Sequence, residues 1–143
     1  MKDINIIREL VVKFRIAIEN LTENDFGESS WFCRFPNGCC GDTAELLSKY
    51  LFENGIVVEY VYGANNSQWH AWLEYMGYII DITADQFPEI GNKVLITADK
   101  QWHSRFKRQT RKYIDFEIDN KLNMVRLSKL YNNITQKIQI LNL

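Results

Sequence analysis

The sequence predicts an α+β domain, on three observations. Apolar residues repeat at helical spacing near both ends of the chain. Between them lie short β-branched and aromatic runs separated by glycine and asparagine turns. A second helix opens on a cysteine, directly after a Pro36-Asn37-Gly38 turn. At 143 residues, 46% hydrophobic and 24% charged, the chain is sized and composed as one domain, 1–143, with enough apolar material for its own core.

From Asp3 to Leu21, the residues Ile7, Leu10, Val11, Phe14, Ala17, Ile18 and Leu21 keep the i, i+3, i+4, i+7 rhythm of a helix. Thr22 to Gly38 reads as a loop anchored by Trp31, Phe32 and Phe35. The second helix runs from Cys40 to about Phe52, with Ala44, Leu47 and Leu51 on one face, and Asn54-Gly55 stops it. Ile56–Tyr62 reads as a strand. Trp69–Tyr75 and Tyr78–Ile82 read as a hairpin turning at Met76-Gly77. Lys93–Thr97 and Tyr113–Ile118 are two further short strands. Leu127, Tyr131, Ile134, Ile138 and Leu141 mark an amphipathic C-terminal helix. On this reading the core spans about 31–97, and 100–143 is a basic extension.

Net charge is −1, but it is unevenly spread. Residues 1–99 carry 7 basic and 15 acidic side chains, and 100–143 carry 10 and 3. The run 100–112 holds six basic residues and no acid. It is expected to pack on the acidic body or to be solvated, with binding of nucleic acid as the sharper alternative. No apolar run reaches membrane-spanning length and the start lacks an apolar signal segment, so a cytoplasmic protein is expected, though an effector exported without a signal would look alike. Three cysteines, Cys33, Cys39 and Cys40, suit a reducing compartment better than a disulfide framework.

Cys40 stands at a helix N-terminus, where unpaired N–H groups and the positive dipole end favour thiolate and can hold an oxyanion. The chain has two histidines, His70 and His103. Strand alternation puts His70, Trp72 and Glu74 on one face, and Trp69, Ala71 and Leu73 on the other. Asp81 lies in an apolar strand, where a carboxylate needs a partner. A hairpin turning at Met76-Gly77 sets Tyr75 against Tyr78, Glu74 against Ile79 and Trp72 against Asp81. Asp81 then lies roughly 5–8 Å from the His70 region, close enough to orient the imidazole. Each of the three has a plain reading too: a small core cysteine, a structural strand histidine, a strand-end cap.

The run Cys40-Gly41-Asp42-Thr43-Ala44-Glu45-Leu46-Leu47, ending in Gly55-Ile56, resembles the nucleophile helix of the transglutaminase-like superfamily of papain-fold cysteine enzymes. His70-Ala71-Trp72-Leu73-Glu74 is similar to that superfamily's His-Ala-Trp-x-Glu strand, and Asp81-Ile82-Thr83 to its Asp-x-Thr. The resemblance covers about residues 31–87. It implies a papain-like core, with a nucleophile helix packed on a small antiparallel sheet and flanked by N- and C-terminal helices. It implies Cys40 as nucleophile, His70 as base and Asp81 as orienting carboxylate, with no cofactor and no metal. The implied activity is that of an amidase or acyl-transfer enzyme on a peptide or protein carboxamide, as protease or glutamine deamidase. A transglutaminase and an inactive papain-fold binding module are the alternatives.

Two departures stand out. Papain-like proteases carry an oxyanion-holding glutamine six residues before the nucleophile, where this chain has Arg34. Trp31, Asn37 and Gln86 are substitutes for that role, and Trp72 is a further residue expected at the substrate side. Cys39, beside the nucleophile, is either a packing residue or a redox partner. A soft-metal site built from Cys33, Cys39, Cys40 and His70 is the chemical rival, although no Cys-x-x-Cys spacing supports it.

Overall fold

Helix α1 (Ile4–Glu19) begins where Asp3 accepts the Asn5 N–H at 2.7 Å, and it buries Ile7, Val11, Phe14, Ala17 and Ile18 on one stripe. The computed structural model describes residues 1–116 and 121–143. The segment expected as a loop instead holds two helical turns, α2 (Glu23–Phe26) and a 3₁₀ turn (Ser30–Arg34). A Thr22–Asp25 capping box starts the first. Stacking of Phe32 between Phe26 and Phe35, at 6.3 and 6.4 Å, holds the second. Aromatic anchoring, which has no helical period, is what orders this stretch.

Helix α3 (Cys40–Glu53) buries Cys40, Ala44, Leu46, Leu47 and Leu51. It ends at Gly55, whose φ of +79° turns the chain so that the Ile56 N–H bonds the Leu51 carbonyl at 2.9 Å.

The sheet has five antiparallel strands in the order β4-β3-β2-β1-β5: β1 (Glu59–Ala64), β2 (Trp69–Tyr75), β3 (Tyr78–Asp81), β4 (Leu95–Thr97) and β5 (Arg108–Tyr113). Met76 and Gly77 both have positive φ, +48° and +84°, as the tight hairpin turn requires. That turn sets Tyr75 against Tyr78, Glu74 against Ile79 and Leu73 against Ile80, in the register expected.

β5 corrects the sequence reading. The strand expected at Tyr113–Ile118 lies at Arg108–Tyr113, inside the basic run, and residues 117 and 118 fall outside the described residues. Charged residues suit an edge strand, whose outer side faces water. The second half of the run, from Arg108, is therefore part of the sheet, and the run packs on the acidic body. Arg111 pairs with Glu74 and Glu59 at 2.9 and 3.4 Å, Lys100 with Glu74 at 3.2 Å, and Arg105 with Glu89 at 2.8 Å.

One sheet face, with Val58, Ala71, Leu73 and Ile80, packs into the main core against α1, α3 and α4 (Lys121–Ile140), which buries Leu127, Leu130, Ile134 and Ile138 there. The hydrophobic core thus draws on residues on both sides of 31–97. The other face carries a smaller aromatic core of Val61, Trp72, Ile79 and Phe106, with Phe87 and Trp102 against it. Gly63, paired with His70 across β1 and β2, leaves room for this cluster: a Cβ there would sit 2.6 Å from Phe106 Cβ and 2.8 Å from the Trp72 ring. No helix is long and apolar enough to cross a membrane, among the described residues.

Candidate active site

Three elements deliver the three expected side chains. Gly38, at φ +73°, turns the chain into α3, and Cys40 is the first residue of that helix. His70 is the second residue of β2, and Asp81 is the last residue of β3. All three are buried, with Cys40 4% exposed.

His70 Nε2 lies 2.8 Å from Asp81 Oδ2. A carboxylate only accepts, so Nε2 carries the proton and Nδ1 is the nitrogen left for other partners. Gln86 approaches that nitrogen, its amide nitrogen 3.4 Å from Nδ1, and Cys40 lies near enough to His70 to favour its charged form. Burial by itself disfavours the imidazolium. The charge of Asp81 and the hydrogen bonds from Asp81 and Cys40 outweigh it and hold His70 up at about 9. Burial would likewise raise Asp81, but the charge of His70 and the bonds from His103 and His70 hold it well below the usual carboxylate range. The other oxygen of Asp81, Oδ1, accepts the Thr83 backbone N–H at 3.0 Å.

Cys39 precedes Cys40 in the chain. Burial pushes its thiol up to about 12, against a bond from Thr43, so at neutral pH it stays an S–H packed in the main core. Cys33 is exposed, and all three cysteines are free.

Of the residues expected to assist, Gln86 is at the site. The 3₁₀ turn Ala84–Gln86 aims it, and its amide also donates to the Thr83 carbonyl at 3.0 Å. Buried Arg15 fixes that turn, bonding both Asp85 oxygens at 2.9 Å and the Ile82 carbonyl at 2.6 Å. Trp72 forms a wall: its ring lies 5.8 Å from that of His70, and its N–H donates to Glu74 at 3.0 Å. Trp31 is committed to another partner. The Trp31 N–H donates to Asp42 at 3.1 Å, and Asp42 also takes a two-pronged bond from Arg126 at 2.8 and 3.1 Å. Arg34 and Asn37 point to solvent as exposed residues.

Sequence reasoning missed His103. Only 1% exposed, it donates or shares a proton at 2.8 Å from the same Asp81 Oδ2 that His70 uses. Its spacing between Trp102 and Phe106 is the one local hint, an aromatic island inside a charged run. Phe87, Trp102 and Phe106 close around His70 at 5.2, 6.0 and 5.7 Å.

His70, Asp81 and His103 are also ligand types for a metal, with their donor atoms all within 4.8 Å. Both histidine nitrogens sit 2.8 Å from one oxygen, whereas a tetrahedral ion with bonds of about 2 Å spreads its ligands to about 3.3 Å. The spacing fits shared protons better than an ion. The four-ligand set with Cys33, Cys39, Cys40 and His70 is not assembled: Cys33 is exposed and the other three are buried.

The space beside Cys40 is narrow. A void of about 10 Å³, bordered by Cys40, Thr43, Ala71, Asp81 and Thr83, lies on its core side. That holds one water at most.

Searches against protein families, curated proteins and solved structures return no match to this chain.

Proposed function

We propose that this chain is a cysteine-dependent amidase or acyl-transfer enzyme acting on a peptide or protein carboxamide, as protease or glutamine deamidase. The single observation that carries the reading is the His70–Asp81 bond of 2.8 Å, which commits Nε2 and leaves the opposite nitrogen for Cys40. In this chemistry the proton of the Cys40 thiol resides on His70 Nδ1, as the raised imidazole favours, and Cys40 reacts as the thiolate of that pair. The sulfur then attacks the carboxamide carbon, aided by the helix N-terminus. The C–N bond breaks as His70 returns the proton to the leaving amine or ammonia, giving a thioester on Cys40. Water, deprotonated by His70, attacks the thioester, releases the acid and restores the thiol. Asp81 steadies the imidazolium throughout, and Gln86, whose amide lies beside His70 Nδ1, is offered as the oxyanion donor.

Mass spectrometry of a protein and peptide mixture, treated with wild type or Cys40→Ala, tests this. Cleaved bonds, a gain of about 1 Da at glutamine, or cross-links name protease, deamidase and transglutaminase in turn. No difference between the two proteins across the mixture counts against the enzyme.

A second reading, a binding module on an inactive papain-like scaffold, draws support from one observation: the Cys40 thiol is 4% exposed beside a void of about 10 Å³.

A further inference from the structure

Asp81 Oδ2 meets two imidazoles at once, His70 Nε2 and His103 Nε2, each at 2.8 Å. We infer that His103 is a positioning residue of this site: by occupying part of the acceptor capacity of Asp81 Oδ2, it sets how firmly His70 holds its proton. The inference rests on the reading of Cys40, His70 and Asp81 as one catalytic unit.

Three observations separate this role from simple packing. Asp81 does not need His103 to be oriented, because its other oxygen is already held by the Thr83 N–H. His103 brings a liability to an apolar box: its Nδ1 is buried with no hydrogen-bond partner. An aliphatic side chain would fill the space beside Trp72 and Trp102, ring centroids 4.8 Å from His103, without that orphan. What an aliphatic residue lacks is the Nε2–H aimed at Asp81.

The consequence is electrostatic. A carboxylate oxygen divided between two donors is a weaker acceptor for each of them. The titratable groups facing His70 are few: Cys40 from α3, Asp81 from β3 and His103 from its 3₁₀ turn. Glu74, four residues along β2, is already bonded by Trp72 and paired with Lys100 and Arg111. Asp85, beside Gln86, is taken by Arg15. The rest of the wall is Trp72, Phe87, Trp102 and Phe106, which carry no charge. With His103 gone, the whole of Oδ2 turns to His70, which then keeps its proton to higher pH and releases it less readily to a leaving amine.

The test uses the full chain with ¹⁵N-labelled histidine. Side-chain NMR of wild type is expected to show a proton on Nε2 of both histidines. In His103→Leu the His70 titration midpoint should rise by about half to one pH unit, and in His103→Gln, which keeps an N–H donor, it should stay within about 0.3 unit of wild type. A folded His103→Leu with the midpoint unchanged or lowered overturns the role. So does a wild-type His103 whose Nε2 is unprotonated, which needs no variant and stands if His103→Leu fails to fold. Iodoacetamide alkylation of Cys40 against pH, with exposed Cys33 as the reference inside the same molecule, separates this from the reading beneath it. A Cys40 profile flat across neutral pH supports a thiol paired with His70. A profile parallel to that of Cys33 sinks the catalytic unit itself, whatever His103 does.

Discussion

At the scale of single residues, the His70–Asp81 pair makes stability depend on pH in a defined way. His70 is raised from 6.5 to about 9 in the folded chain, so its contribution is fully present below pH about 6.5 and is lost as pH climbs through 9. Asp81 is lowered from 3.8, so its contribution is present above pH about 4 and is lost as pH falls toward the folded value. Thermal unfolding of wild type should therefore show a plateau between about pH 4 and 6.5, with a fall of a few kcal/mol, in order of magnitude, by pH 9. Asp81→Asn should flatten the alkaline limb. On the proposed chemistry the same variant should lower turnover by about 10²-fold or more while leaving some activity, since Asp81 orients and does not react. Cys40→Ala should abolish turnover and melt within a few degrees of wild type. His103, which on sequence grounds matters little if it lies at the surface, is buried against Asp81.

Among the elements, what the sequence discloses is what has a local period or a local turn. The β2–β3 hairpin is legible residue by residue, because Met76-Gly77 fixes the turn and alternation fixes the faces, which puts His70 and Asp81 on one side. Helices α1 and α3 announce themselves by their apolar stripes and by Asp3 and Gly55. β5 is hidden: Arg108, Arg111 and Lys112 mask it, and its partner β1 lies about fifty residues upstream. The aromatic box is hidden for the same reason, because Phe87, Trp102 and Phe106 meet through tertiary closure alone. The β1–β2 pair owes its fit to Gly63. Gly63→Ala should cost about 1–3 kcal/mol in urea unfolding by pressing a methyl group into Phe106 and Trp72. It should also disturb His70, its cross-strand partner.

For the whole molecule, two apolar cores lie on opposite faces of one sheet: Cys40 belongs to the main one, and the rings around His70 belong to the smaller one. The thiol is nearly closed off. Small alkylating agents should therefore label Cys40 far faster than bulky maleimides, by about tenfold or more, while exposed Cys33 should show little preference. Equal rates at Cys40 would mean that the site opens freely in solution.

The far-flung wall of His70 bears on biosynthesis. The histidine strand leaves the ribosome well before Trp102, His103 and Phe106, and before the strand at Arg108–Tyr113 that flanks Gly63. A nascent chain can thus carry sulfur and imidazole in covalent order while lacking the walls that aim one at the other. On the proposed chemistry, a chain terminated before Trp102 is therefore expected to be inert, its thiol unaimed.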